Sequence, residues 1–336
     1  QGQKDRRRMT DKLKVALIGC GQIGYGWDPS IAGSGSEAFS HFAAISQSES
    51  FELVGVADTD SEILDELKRH DFLECENDWR RMLGERERWD LVVVATPDET
   101  HSDILNEISE FNPSCVFVEK PLCMDSLSGD RIIKSFENEG ISLLVNYSRR
   151  FMGEYRALGE VIREGRMGTP LCLTVHYTGG LLHNGFHFLD LAHWFFGLPE
   201  EARIFPGHQK RNKSKDCSAT IRCTYKSGLQ FNLIGVGYES PTHHQVEFIG
   251  SEGGFRILNN ERIEWQKSVP MERFEGFREL STEKHQEIKT GLALPNAYRS
   301  IAEHLEMSIP FERNVKSCLA LNHLIENGLT VLPQHS

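Results

Sequence analysis

Gly19-Cys20-Gly21-Gln22-Ile23-Gly24 forms a G-x-G-x-x-G directly behind an apolar run. Glycine at these three positions permits a tight turn, brings backbone N–H groups close to a pyrophosphate and lets a following helix pack closely. Asp58 ends the second apolar run and offers a carboxylate to the hydroxyls of an adenosine ribose. That carboxylate repels a 2′-phosphate and no arginine follows it closely, so NAD is the expected cofactor and NADP is disfavoured. Lys120 closes a further apolar run, where an ammonium can donate to a hydroxyl and stabilise a developing alkoxide. Pro121 restricts Lys120 towards extended backbone. His187 is the candidate general base, because imidazole titrates near neutral pH. Asp190, three residues on, shares its face on a helix and is placed to orient the ring. His183 and His187 have the spacing of two metal ligands on a helix, but Gly185 between them starts that helix only afterwards, so no metal is expected. His243 and His244 point to opposite faces if they lie in a strand, and Trp194, Phe195 and Phe196 read as core.

These residues sit on a regular alternation. KVALIG, FELVGVAD, DLVVVAT, CVFVEK and ISLLVNY are short, nearly all-apolar runs, the pattern of strands covered on both faces as a parallel sheet requires. Helix-like stretches lie between them at 61–70, 101–111 and 125–139, each with Asp, Ser or Thr near its start. After Tyr147 the rhythm changes. Helix-like stretches at 154–165 and 186–197 both end at glycine. Strand candidates at 171–178, 218–225, 229–238, 244–250, 254–259 and 262–269 alternate polar and apolar residues, as in an antiparallel sheet with one exposed face. The polar stretch 267–286 reads as a mobile loop, and helices at 297–307 and 314–327 close the pattern. The fold class is therefore α/β: a doubly wound parallel sheet over 10–147, then an α+β domain over 148–333 built on an open, mostly antiparallel sheet.

Composition agrees with two folded domains in 336 residues, 39% of them hydrophobic and 26% charged. A formal charge of −12 has the wrong sign for a nucleic-acid partner. Eight scattered cysteines without a C-x-x-C suit a reducing cytoplasm, and no long apolar run or signal peptide points to a membrane. Met9, opening MTDKLKVALIG, reads as the native start behind a flexible extension.

Taken in order, the glycine fingerprint, Ala95-Thr96-Pro97 with His101, Glu119-Lys120-Pro121, Arg149-Arg150-Phe151 after Asn146, and Gly185-Phe186-His187-Phe188-Leu189-Asp190 followed by Trp194 resemble the glucose-fructose oxidoreductase and inositol dehydrogenase (Gfo/Idh/MocA) family. The resemblance spans about residues 13–332. It implies an N-terminal Rossmann domain, a nicotinamide cofactor and a small sugar-like substrate: a sugar, a polyol or a sugar nucleotide. It also implies a homo-oligomer, dimer or tetramer, formed through the C-terminal sheet. By this resemblance Gly19, Gly21, Gln22, Ile23 and Gly24 hold the pyrophosphate and Asp58 the ribose, while Thr96, Pro97, His101, Glu119 and Lys120 flank the nicotinamide. Lys120 and His187 are the catalytic residues, and Asn146, Arg150, His183 and Asn184 the substrate contacts.

Two positions depart from the family. The Asp found four before the histidine in many of its dehydrogenases is His183 here, read as a substrate ligand. The family's small-residue and His segment follows the fingerprint closely, whereas Ser40-His41-Phe42 comes late, after an insertion of about 14 residues that holds Trp27, Asp28 and Pro29 and restores the usual distance to Asp58. Two rival readings stay open: a non-catalytic dinucleotide-binding regulator, and a glycosidase of the same fold that uses NAD for transient oxidation.

Overall fold

The structure, a computed structural model, describes residues 12–28, 37–71, 73–209, 216–309 and 314–327. The expected native start at Met9, the extension before it, and Pro29 lie outside the described residues. The chain divides into two compact units, Gln1–Cys123 with Leu127–Asn146 and Leu294–Glu312, and Met124–Ser126 with Tyr147–Ala293 and Arg313–Ser336.

The sheet of the first unit has six strands: β1 (Leu13–Ile18), β2 (Phe51–Ala57), β3 (Glu74–Glu76), β4 (Leu91–Val94), β5 (Cys115–Val118) and β6 (Ser142–Val145). They are ordered β3-β2-β1-β4-β5-β6 and every neighbouring pair is parallel. Every residue of β4 and β5 is buried, which is why these runs are apolar throughout rather than alternating. The order turns back between β1 and β4, and a sheet of this topology opens its ligand crevice at the carboxyl ends around that point. Helices α1 (His41–Ser46), α2 (Ser61–Leu67), α3 (Trp79–Gly84), α4 (His101–Ile108) and α5 (Ser126–Glu139) join the strands. Ser40, Asp60 and Asp78 cap α1, α2 and α3 by accepting from the backbone N–H of Ala43, Glu62 and Arg80. The three-residue β3 and six-residue α3 are too short to show a period, and sequence reading misses both.

In the second unit, α6 (Gly153–Arg163) and α7 (Phe186–Phe196) pack with the buried side of an eight-stranded sheet. Its strands are β7 (Pro170–Tyr177), β8 (Glu201–Gln209), β9 (Cys217–Thr224), β10 (Gln230–Gly235), β11 (Gln245–Gly250), β12 (Gly253–Leu258), β13 (Arg262–Pro270) and β14 (Arg278–Glu287). The order is β14-β13-β12-β11-β7-β10-β9-β8, antiparallel throughout except for the parallel β7–β10 pair. Burial alternates residue by residue along β11, so one face meets the core and the other is half-exposed. The expected loop at 267–286 is corrected here: its second half is β14, paired along its length with β13. An edge strand with almost nothing buried carries no apolar signature to read.

The last two helices part company. α8 (Ala293–Met307) belongs almost wholly to the first unit and α9 (Asn314–Asn327) to the second, so a single second domain over 148–333 is too simple. Tyr298 of α8 meets Phe51 and Phe117 edge-on at 5.6 and 5.8 Å. An amphipathic helix is held by whichever surface buries its apolar face, whatever its place in the chain. Among the described residues no helix is long and apolar enough to cross a membrane.

Candidate functional site

The glycine fingerprint follows β1 as a turn in which each glycine answers to a different neighbour. Gly19 adopts φ +91°, and a Cβ there would lie 2.6 Å from the Ala95 carbonyl. A Cβ at Gly24 would lie 2.1 Å from the Gly19 oxygen. Gly21 is the exception, because a Cβ there meets no protein atom within 4 Å. Packing among the described residues therefore does not demand glycine at 21, and the open space beside it fits the close approach of a pyrophosphate. Gly24→Ala is expected to cost about 1–3 kcal/mol, since the clash is with backbone. Thermal unfolding beside an NADH titration checks this, and an unchanged melting temperature with unchanged affinity would show that the turn yields.

Gln22–Gly26 close a single π-helical turn, with the Gly26 N–H donating to the Gly21 carbonyl at 2.9 Å, and the helix does not continue. α1 begins only at His41. Trp27, 61% exposed, ends the turn, and the Asp28 carbonyl accepts from Ser40 Oγ at 3.3 Å. Asp58 binds this turn from the side: Oδ2 accepts from the Cys20 N–H at 2.6 Å and Oδ1 from the Asp60 N–H at 2.9 Å. Each carboxylate oxygen keeps acceptor capacity for a ribose hydroxyl. Burial, reinforced by the Asp58 charge, pushes the Cys20 thiol up, so it stays protonated and inert.

Thr96 Oγ1 accepts from Thr100 Oγ1 at 2.7 Å, just past β4. His101 is fully buried, with Nδ1 2.7 Å from the Pro121 carbonyl and Nε2 2.9 Å from the Thr96 carbonyl. Expected on the nicotinamide side, it joins the segments that leave β4 and β5 through both ring nitrogens. The Lys120–Pro121 peptide is cis, and Lys120 is 9% exposed at the carboxyl end of β5. Beside it Glu119 Oε1 accepts from His41 Nε2 at 3.0 Å and from Asn146 Nδ2 at 2.6 Å. His41 Nδ1 lies 2.8 Å from the Tyr298 hydroxyl. Burial alone would raise the Glu119 carboxyl, but hydrogen bonds from His41 and Asn146, with the His41 and Lys120 charges, outweigh it and hold the group low.

In the second unit, residues 181–185 form another single π-helical turn that runs into α7. Asp216 clamps it, Oδ1 accepting from the Leu182 N–H at 2.9 Å and Oδ2 from the His183 N–H at 3.0 Å. His183 is exposed, and Asn184 Nδ2 donates to the Thr178 carbonyl at 2.7 Å. His187 is half-buried at the start of α7, its ring edge-on to Tyr147 at 6.4 Å. Asp190, three residues on along α7, is tied to Arg150. It takes a bidentate pair from Arg150, Nε to Oδ2 at 2.8 Å and Nη2 to Oδ1 at 2.7 Å, with both side chains buried. Arg150, expected as a substrate contact, spends those donors inside the fold. His243 and His244 precede β11 and lie in no strand. Among the described residues no three His, Cys, Asp or Glu side chains gather as a metal site.

Sequence reading missed His41, Tyr298 and Asp216 as parts of the site. His41 stands in the segment that resembles the family, but its partners come from distant elements, and Asp216 lies in polar chain with no pattern to mark it.

The family model described as "Oxidoreductase family, NAD-binding Rossmann fold" matches residues 13–147, and its companion, "Oxidoreductase family, C-terminal alpha/beta domain", matches 160–309. Among curated proteins, a D-apiose dehydrogenase of Paraburkholderia graminis is 24% identical over 279 residues, covering 75% of this chain and 69% of that protein. A myo-inositol 2-dehydrogenase of Thermotoga maritima is 23% identical over 269 residues, covering 72% and 74%. The fold is shared with the WlbA dehydrogenase of Bordetella pertussis, solved with NADH and UDP-GlcNAcA (TM-score 0.76, 21% identity, 96% of each chain). It is shared too with KijD10, a 3-ketoreductase of Actinomadura kijaniata solved with NADP (TM-score 0.73, 19% identity, 96% of this chain and 100% of that one).

Proposed function

The chain belongs to the Gfo/Idh/MocA oxidoreductases, and from that premise we propose that it uses NAD(H) to interconvert a secondary alcohol and a ketone on a sugar, a polyol or a sugar nucleotide. The observation that carries the cofactor reading is Asp58, whose carboxylate stands at the end of β2 tied to the fingerprint turn and opposes a 2′-phosphate. A nicotinamide held by this turn supplies the hydride acceptor or donor. Lys120 donates to the reacting oxygen and stabilises charge that develops there. His187 takes the hydroxyl proton in oxidation and returns it in reduction. His183 and Asn184, held by Asp216 and the Thr178 carbonyl, offer donors and an acceptor to a hydroxyl-rich substrate. The half-exposed face of the β7–β14 sheet is the surface through which copies of the chain would associate.

Dehydrogenases of apiose and inositol among the relatives support the substrate class. Neighbours solved with NADH and with NADP make cofactor choice the quantity to measure. NADH is expected to quench the protein's fluorescence at lower concentration than NADPH; a tenfold preference for NADPH would refute the assignment. Turnover screened with NAD against myo-inositol, apiose and UDP-linked sugars tests the reaction, and activity with none of them would favour a dinucleotide-binding regulator.

A further inference from the structure

We propose that Glu119, His41 and Tyr298 are positioning residues that turn the Asn146 amide so that its Oδ1 accepts a hydrogen bond from the carboxamide N–H of a bound nicotinamide. The inference rests on the dinucleotide reading above and goes beyond it by assigning Asn146, expected as a substrate contact, to the cofactor.

Asn146 stands one residue past β6, where its N–H donates to the Val118 carbonyl of β5 at 2.8 Å. Asn146 is 4% exposed, and its Oδ1 is buried with no hydrogen-bond partner among the described residues. Buried acceptors of this kind are uncommon and call for an explanation. The partners of Asn146 determine which end of the amide is left over. Burial and the Glu119 charge push the Tyr298 hydroxyl well up, so it stays protonated and pairs with His41 Nδ1 at 2.8 Å, which holds the ring in place. His41 Nε2 faces the Glu119 carboxylate at 3.0 Å, so this nitrogen carries a proton and donates. Glu119, held low and ionised, only accepts, so Asn146 must show it the NH₂ end, which it does at 2.6 Å. Oδ1 is thereby fixed as an acceptor.

Its place suits the nicotinamide. In a sheet of order β3-β2-β1-β4-β5-β6 the adenosine and pyrophosphate ends fall to β2 and β1, leaving the carboxyl ends of β4 to β6 for the other half of the dinucleotide. A neutral amide acceptor matches a neutral amide donor there.

The test compares NADH with reduced 3-acetylpyridine adenine dinucleotide, which keeps the ring carbonyl but lacks the N–H donor. Both are titrated by fluorescence into wild type, Asn146→Ala, Glu119→Gln and Tyr298→Phe; if NADPH binds more tightly, the phosphorylated pair is used. Asn146→Ala is expected to weaken NADH by about three- to tenfold while the analogue changes little, so the affinity ratio between them collapses. Glu119→Gln, which lets the Asn146 amide turn, is expected to lower the ratio part of the way, and Tyr298→Phe by less. General destabilisation weakens both ligands together and leaves the ratio alone. If Asn146→Ala does not fold, Glu119→Gln keeps the volume and carries the test. Ratios equal to wild type, with binding intact, overturn the inference alone; a wild type that binds neither cofactor overturns the proposed function as well.

Discussion

Lys120→Met is expected to lower turnover by about 10²–10³-fold and His187→Ala by about 10²–10⁴-fold, with NADH affinity changing little in either. Methionine keeps most of the lysine's length in the buried position at the end of β5 but removes the ammonium donor that the proposed mechanism sets against charge on the reacting oxygen. Alanine at 187 removes the proposed proton acceptor from the first turn of α7 and leaves the Arg150–Asp190 pair in place. On the proposed roles, in which both groups act on the reacting oxygen, the loss should fall on kcat and kcat/KM alike rather than on KM alone. Steady-state rates beside an NADH titration decide the matter, and a variant that keeps wild-type turnover takes its residue out of the mechanism.

Asp190→Ala is expected to cost about 3–5 kcal/mol of stability, the largest structural effect of any single change considered. The carboxylate meets Arg150 through two hydrogen bonds with both side chains buried, and removing it leaves the guanidinium inside the second unit without that counter-charge. Replacing both partners by apolar residues, Arg150→Met with Asp190→Leu, should recover most of the loss, because no uncompensated charge then stays buried. Urea unfolding of the single and double variants measures both quantities. A single variant within about 1 kcal/mol of wild type would show that other groups around Arg150 carry the charge.

Much of the dinucleotide half was legible in the amino-acid sequence because it depends on local rules. A short, Val- and Ile-rich continuous apolar run reads as a strand buried on both faces, a glycine fingerprint behind such a run reads as a turn, and an acid at the end of the next run stands beside it. The same rules located α7 but not the π-helical turn at 181–185, which carries His183 and runs into α7 with Gly185 itself in right-handed helical backbone. Tertiary structure decided what depends on distant partners. Asp190 and His187 are three apart on one helix, yet the carboxylate pairs with Arg150 from forty positions away, because a bidentate guanidinium binds a carboxylate better than an imidazole does. His101 has the look of a ligand in the sequence and is a buried staple in the fold, its two nitrogens taken by carbonyls from two loops. α8 joins the first unit although most of the second precedes it, and β14 forms at an edge with almost nothing to bury. The chain from Tyr298 through His41 and Glu119 to Asn146 draws on α8, α1 and the ends of β5 and β6. No spacing in the sequence encodes it, because hydrogen bonds between side chains this far apart exist only once the hydrophobic effect has brought their elements together.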